Sequence, residues 1–228
     1  MINLIRRRNR DEESVLSEIS NLKLWFKADE GITKDGGNYV SQWNDQSGIS
    51  NNATQTTYGI KPLWVDNQIN GFPVVRFDGN DWMVFSDLIL AKCSVFIVYK
   101  KFASNSASCM IGNGYNNNYS GVFDWDNTQI YFNTEITQYS VNGGGKTVYS
   151  LIECINESVP LSIYMNGNLV SQVNMVGSLN IGNIGRSIGI ANSQMDGDIA
   201  EIIVYDSALS TTNRQLVELY INTKYNIW

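Results

Sequence analysis

The sequence predicts an all-β domain, a sandwich or a barrel, preceded by a short helical arm and closed by one short helix. Three observations predict it. Short apolar runs rich in Val, Ile, Phe, Tyr and Trp recur along most of the chain. Clusters of Asn and Gly separate them, and these residues reach left-handed backbone angles at little cost. Helical spacing of apolar residues occurs only near the two ends.

The arm is residues 1–21. Arg6, Arg7, Arg8 and Arg10 precede Asp11, Glu12, Glu13 and Glu18. Val15, Leu16 and Ile19 then recur at helical spacing, and the early acids suit the positive end of a helix dipole. The arginines form either a surface that docks on an acidic partner or a solvated stretch paired with Asp11–Glu13.

Residues 22–228 read as a single domain. Leu22–Ala28, Pro73–Phe77 and Trp82–Phe85 are strand-like, and Ser94-Val-Phe-Ile-Val-Tyr99 has the composition of a central strand. Gly121–Trp125, Gln129–Phe132, Thr147–Cys154 and Leu161–Met165 continue the series. Asn166-Gly167 is a hairpin turn, with Leu169–Val173 returning. Ile199–Tyr205 is a further buried strand. The closing helix starts at an Ser210 N-cap and places Leu216, Leu219 and Tyr220 on one face.

Composition narrows the function. The net charge is −6, so the chain as a whole repels phosphate and nucleic acid is not an expected partner. There is no histidine, which removes the commonest general base and zinc ligand. Cys93, Cys109 and Cys154 are an odd, sparse set that reads as buried thiols. No apolar run is long enough to span a bilayer, and no secretory leader is visible.

Several segments together resemble a known family. Leu24–Ile32 is similar to the opening strand of laminin-G-like, concanavalin-A-like jelly rolls of the bacterial and phage type. Trp43-Asn-Asp-Gln-Ser-Gly48 with Asn52–Gln55, and Ile69-Asn-Gly-Phe-Pro-Val-Val-Arg-Phe-Asp-Gly79, resemble its most specific stretches. Tyr164–Gly167 and Gly197–Asp206 are similar to its hairpin and closing strand. The resemblance spans Leu22–Trp228 and implies two antiparallel sheets packed face to face. Family members include carbohydrate binders, adhesive modules, phage structural proteins and, more distantly, glycoside hydrolases, so fold alone does not fix function. In the matched motifs, Gly48, Gly71 and Gly79 suit tight turns, Asp45 and Asp78 suit turn amides, and Trp25, Trp43 and Phe77 suit the space between sheets.

The candidate ligand-binding residues are Tyr115, Asn117, Tyr119, Asp124, Trp125 and Asp126. Aromatic rings stack on sugar faces while nearby Asn and Asp bond hydroxyls. The pair Asp124/Asp126 is the nearest analogue of the paired carboxylates of glycosidases, but the E-x-D-x-E strand motif is missing, so no catalytic residue is assigned and no enzyme is expected. No cofactor is expected. Calcium is the one metal considered, with Asp78, Asp81, Asp196 and Asp198 as oxygen donors near turns and no EF-hand loop. Gly143-Gly-Gly-Lys-Thr147 lacks the leading glycine of a phosphate loop and reads as a hairpin loop.

The expected function is a non-enzymatic structural or adhesive surface module, decorating a phage virion or its tail and anchored to other virion or surface proteins through the arm. The alternative is a lectin-like module that binds glycans for attachment, at a cell surface or outside the cell; a hydrolase ranks third. A homo-oligomer is compatible with either of the first two.

Overall fold

The computed structural model describes residues 13–102, 107–115, 118–125, 128–134, 136–144, 146–188, 190 and 193–228, with backbone alone at 114, 115, 118 and 119. Residues 13–18 form helix α1, and seventeen strands, numbered in chain order, precede helix α2, Thr211–Tyr225. The strands build two antiparallel sheets, as the resemblance implies, and the arrangement is a sandwich rather than a barrel.

The first sheet runs β15 (Asn168–Val173), β14 (Leu161–Met165), β13 (Ser150–Asn156), β8 (Cys93–Lys101), β17 (Asp196–Tyr205), β6 (Phe72–Asp78) and β5 (Leu63–Ile69), with β1 (Leu22–Lys27) also paired to β17. The expected central strand Ser94–Tyr99 lies in β8, between β13 and β17. It is β-branched and aromatic because both of its faces are covered. Asn166 and Gly167 have φ of 50° and 74°, as a two-residue hairpin needs to turn β14 into β15.

The second sheet runs β12 (Gln138–Asn142), β11 (Gln129–Asn133), β10 (Asn118–Asp124), β9 (Ser108–Tyr115), β16 (Leu179–Ile184), β7 (Met83–Leu90), β4 (Ala53–Thr54), β3 (Val40–Trp43) and β2 (Ile32–Lys34). Inward residues of both sheets, among them Trp43, Phe77, Ile97, Ile181 and Ile202, form the core between them.

A second apolar layer lies outside the first sheet. Phe96, Val98, Leu151, Ala200 and Ile203 meet Val217, Tyr220, Ile221 and Tyr225 of α2, and Leu16 and Ile19 pack into the same layer. Trp25 belongs to this layer and not to the inter-sheet space expected for it, because alternation along β1 turns Leu24 and Phe26 inward instead. The Ser210 N-cap is as expected, its Oγ accepting from Asn213 N at 3.3 Å.

The face of α2 differs from the expected one. Leu219 is exposed, and the buried side chains are Arg214, Val217, Tyr220, Ile221, Lys224 and Tyr225. The helix buries two cations because buried carboxylates await them. Glu201 accepts from Trp25 Nε1 at 2.6 Å, Tyr220 Oη at 2.9 Å, Tyr225 Oη at 2.7 Å and Lys224 Nζ at 3.0 Å. Asp29 holds Lys224 from the other side at 2.8 Å. Burial pulls the Lys224 ammonium down, and the two carboxylates outweigh it, leaving it above the ordinary lysine value. Arg214 pairs with Glu218 and, at 3.4 Å, with Glu153.

Candidate functional site

The sequence-predicted ligand residues do not gather into one described site. Asn117 and Asp126 lie outside the described residues, as do Arg6, Arg7, Arg8 and Arg10. Tyr115 and Tyr119 are placed by backbone alone, at the hairpin between β9 and β10. Asp124 ends β10 and is completely buried. Its Oδ2 accepts from Tyr99 Oη at 3.0 Å and Lys146 N at 3.1 Å, and Lys101 Nζ lies 3.4 Å from Oδ1. The expectation that Asp124 touches a ligand is therefore corrected. A buried cation inside the sandwich needs a buried carboxylate, and Asp124 supplies it to Lys101. Trp125 follows the strand end and is half-buried, 6.2 Å from the Phe123 ring and 5.3 Å from Tyr131.

Of the four acids considered for calcium, Asp198 stands apart from the other three. Asp198 is fully buried and takes Arg76 Nε at 2.7 Å and Tyr149 Oη at 2.7 Å, so it serves an ion pair within the protein. Asp78 pairs across the sheet with Asp196, and Asp78 N donates to Asp81 Oδ2 at 3.2 Å. Among the described residues, no three side chains of metal-binding type converge.

Asp78 and Asp81 instead line a groove of about 260 Å³, together with Tyr39, Tyr58, Gly59, Lys61, Leu63 and Arg76. Its aromatic side comes from two loops. Asp35 Oδ1 accepts from Gly37 N at 2.9 Å and Tyr39 N at 3.0 Å, folding the turn before β3 so that Tyr39 bridges to Leu63. A Cβ on Gly37 would stand 3.1 Å from the Tyr39 ring, so glycine there leaves the ring its place. Tyr58 comes from the loop after β4. Asn80 Nδ2 donates to Gly59 O at 3.3 Å, and Asp78 Oδ1 accepts from Asn80 N at 2.9 Å, tying that loop to the end of β6. The rings of Tyr39 and Tyr58 sit 6.1 Å apart at 58°, exposed by 40% and 80%.

The opposite wall is polar and charged. Arg76 is committed to Asp198 and to Gln68 Oε1 at 3.0 Å. Lys61 is half-buried and makes no ion pair among the described residues. Burial, and then the neighbouring Asp78, push the Asp81 carboxyl up to about 7. Near neutral pH Asp81 can therefore donate or accept a hydrogen bond, beside a carboxylate and an ammonium. The groove offers aromatic faces on one side and mixed donors and acceptors on the other. It has no pair of carboxylates set across a cleft.

This architecture defines a class, the β-sandwich of which many binding domains are built. The sequence matches no protein-family profile and no curated protein. Among solved structures, the chain is similar to domain 4 of the extracellular arabinanase AbnA from Geobacillus stearothermophilus, solved with arabinotriose. The TM-score is 0.64 at 14% identity, over 88% of this chain and 98% of that one. It is similar to the binding domain of Paraclostridial Mosquitocidal Protein 1, with a TM-score of 0.62 at 12% identity over 90% of this chain and 52% of the other. It also resembles part of a Trypanosoma rangeli sialidase, with a TM-score of 0.60 at 14% identity over 97% of this chain and 39% of the other. At these identities the likeness is one of fold.

Proposed function

We propose that the protein is a carbohydrate-binding module that takes a sugar ring against the exposed faces of Tyr39 and Tyr58, and that it binds without catalysing. The observation that carries this reading is the exposed tyrosine pair over a groove walled by Lys61, Asp78 and Asp81. Large aromatic side chains left in water at a concave site are the signature of a platform awaiting a flat apolar ligand face. The groove lies just under the usual range of ligand pockets, about 300 Å³ and upward, which suits one ring better than an extended chain. The laminin-G-like resemblance, and a fold shared with a domain solved bound to arabinotriose, support the same class of ligand.

Glycan-array binding tests the proposal. Wild type is expected to give hits, and Tyr58→Ala, at a side chain already 80% exposed, is expected to lose them while its thermal midpoint moves little. An array without hits, or hits that Tyr58→Ala leaves intact, overturns it. Trp125→Ala in the same assay decides whether the half-buried Trp125 adds a second platform.

A further inference from the structure

The outer face of the second sheet carries a different arrangement, independent of the tyrosine groove. Inward residues of β16 are Leu179, Ile181 and Ile184. The spacing leaves Gly182 and Asn183 both outward, and the pairing of β16 with β7 shifts register at that point. β7 answers with a bulge of its own, because Phe85 is buried inward, Leu88 packs against the inter-sheet core, and Ser86 and Asp87 lie between them. Bulges of this kind re-aim side chains and recur beside functional sites.

Here they lay a polar strip across the sheet. A Cβ on Gly182 would fall on Asp87 Oδ1 and stand 3.2 Å from Asn113 Nδ2, so glycine alone lets both side chains cross above it. Asn113 Nδ2 donates to Asn180 Oδ1 at 3.2 Å. At the other end, Arg186 Nε donates to Asn183 Oδ1 at 3.0 Å, and the guanidinium lies 4.0 Å over the Trp82 ring. From Asn180 to Asn183 the strip is about 10 Å long at the usual strand rise.

Arg186 is the unusual member. It is half-buried, and among the described residues no carboxylate lies within ion-pair distance of it. Burial pulls its guanidinium below the ordinary arginine value. One face is stacked on indole and Nε is held, so the two Nη groups point as a fixed fork with no partner among the described residues. A half-buried arginine, pre-organised and without a counter-ion, is a receptor for a planar anion. Asp87, exposed and without a hydrogen bond of its own among the described residues, complements it as an acceptor for hydroxyls.

We infer that the Arg186–Asn183–Gly182–Asp87–Asn113 strip is a second binding site, for a saccharide bearing a carboxylate. The carboxylate takes the two Nη groups of Arg186 and ring hydroxyls meet Asp87, while the buried Asn183 and Asn113 form the floor that holds Arg186 and the crossing over Gly182 in place. A neutral sugar leaves the fork empty, so the site discriminates by charge where the tyrosine groove discriminates by ring face.

Titration calorimetry with two matched pairs tests this: 3′-sialyllactose against lactose, and digalacturonic acid against its methyl ester. At least one acidic member is expected to bind wild type more tightly than its neutral partner, less so as salt is raised. Arg186→Gln is expected to weaken that acidic member by about tenfold or more, the size of a charge-assisted bond pair. Arg186→Lys keeps the charge but not the fork, and is expected to fall close to Arg186→Gln. If Arg186→Gln melts early, Arg186→Lys and Asp87→Asn, the latter at an exposed side chain, carry the test. Equal binding of both members of both pairs overturns the inference, as does full retention of acidic binding in the Arg186 variants. Loss of acidic binding in Tyr58→Ala overturns it too, by placing the ligand in the groove. Lost neutral-sugar binding in that variant bears on the groove alone.

Discussion

The two outer faces of the sandwich are made from one repertoire of short strands and Asn-Gly turns, yet one is sealed and the other is open. Outside the first sheet, α1 and α2 cover an apolar layer and bury Glu201, Lys224, Arg214 and Glu153 inside it. Outside the second sheet no helix lies among the described residues, and the irregular pairing of β7 with β16 leaves Asp87 exposed above the buried Gly182 and Asn183. Polar groups on the sealed face are satisfied by one another and serve the fold. On the open face Arg186 and Asp87 keep bonding capacity that no described residue uses. A buried polar group without a partner is expensive, so spare capacity of this kind collects where a ligand can reach it.

The sharpest break of this contrast is at Lys224. Replacing it by Met keeps the aliphatic stem and leaves the buried Glu201 carboxylate without its cation, with Asp29 at the rim. Breaking a buried pair from one side costs about 3–5 kcal/mol, because the remaining charge has no compensation. Urea unfolding of Lys224→Met is expected to show a loss of that size, and Lys224→Met/Glu201→Gln is expected to recover part of it. A single-variant loss under about 1 kcal/mol, the range of a surface pair, contradicts the sealed-face account.

A second test uses pH. Burial pushes the Glu153 carboxyl up to about 7, against the amide of Gly167 and the charge of Arg214, which pull the other way. The native state therefore holds a proton that the unfolded chain, with a glutamate near its ordinary value of 4.5, releases earlier. Stability from this group is complete below about 4.5 and is lost as pH rises through about 7. Glu153→Gln imitates the protonated form. Its thermal midpoint is expected to match wild type at pH 4 and exceed it at pH 8. A wild-type midpoint that climbs relative to the variant between those values reverses the sign and assigns Glu153 a charged native state.

The strands were legible because the core between the sheets obeys simple alternation. β8, the Asn166-Gly167 hairpin and the Ser210 cap all follow from local pattern. The Asp45 turn does too, its Oδ1 accepting from Trp25 N and Ser47 N at 2.9 Å each. Sequence reasoning failed where charges go inside. The buried side of α2 was misplaced because apolarity favours Leu216 and Leu219, while Arg214 and Lys224 are drawn in by Glu153 and Glu201, which are distant in sequence. Asp124 stands among the candidate ligand residues for the same reason, its partner Lys101 lying on another strand. The tyrosine groove left little local trace. Tyr39 and Tyr58 stand nineteen positions apart in sequence, and the pairing of β3 with β4, the Tyr39–Leu63 bridge and the Asn80–Gly59 bond bring their loops together. Arg186 had one available signal, an arginine in an Asn- and Gly-rich stretch with no acid nearby in sequence.

The smallest expected effect is the most informative about the open face. Ile89 lies on β7 opposite Asn180, exposed by 69%. Truncating a packed isoleucine such as Ile221 costs about 2–5 kcal/mol, through lost burial and the cavity left behind. Ile89 has little burial to lose and leaves no cavity, so Ile89→Ala is expected to change urea stability by no more than about 0.5 kcal/mol. A loss comparable to that of a core isoleucine means that something covers this face in solution, a second copy of the chain being the first candidate to check by light scattering. An unchanged midpoint leaves Arg186 and Asp87 uncovered by a second copy, the condition that an acidic sugar needs to reach them.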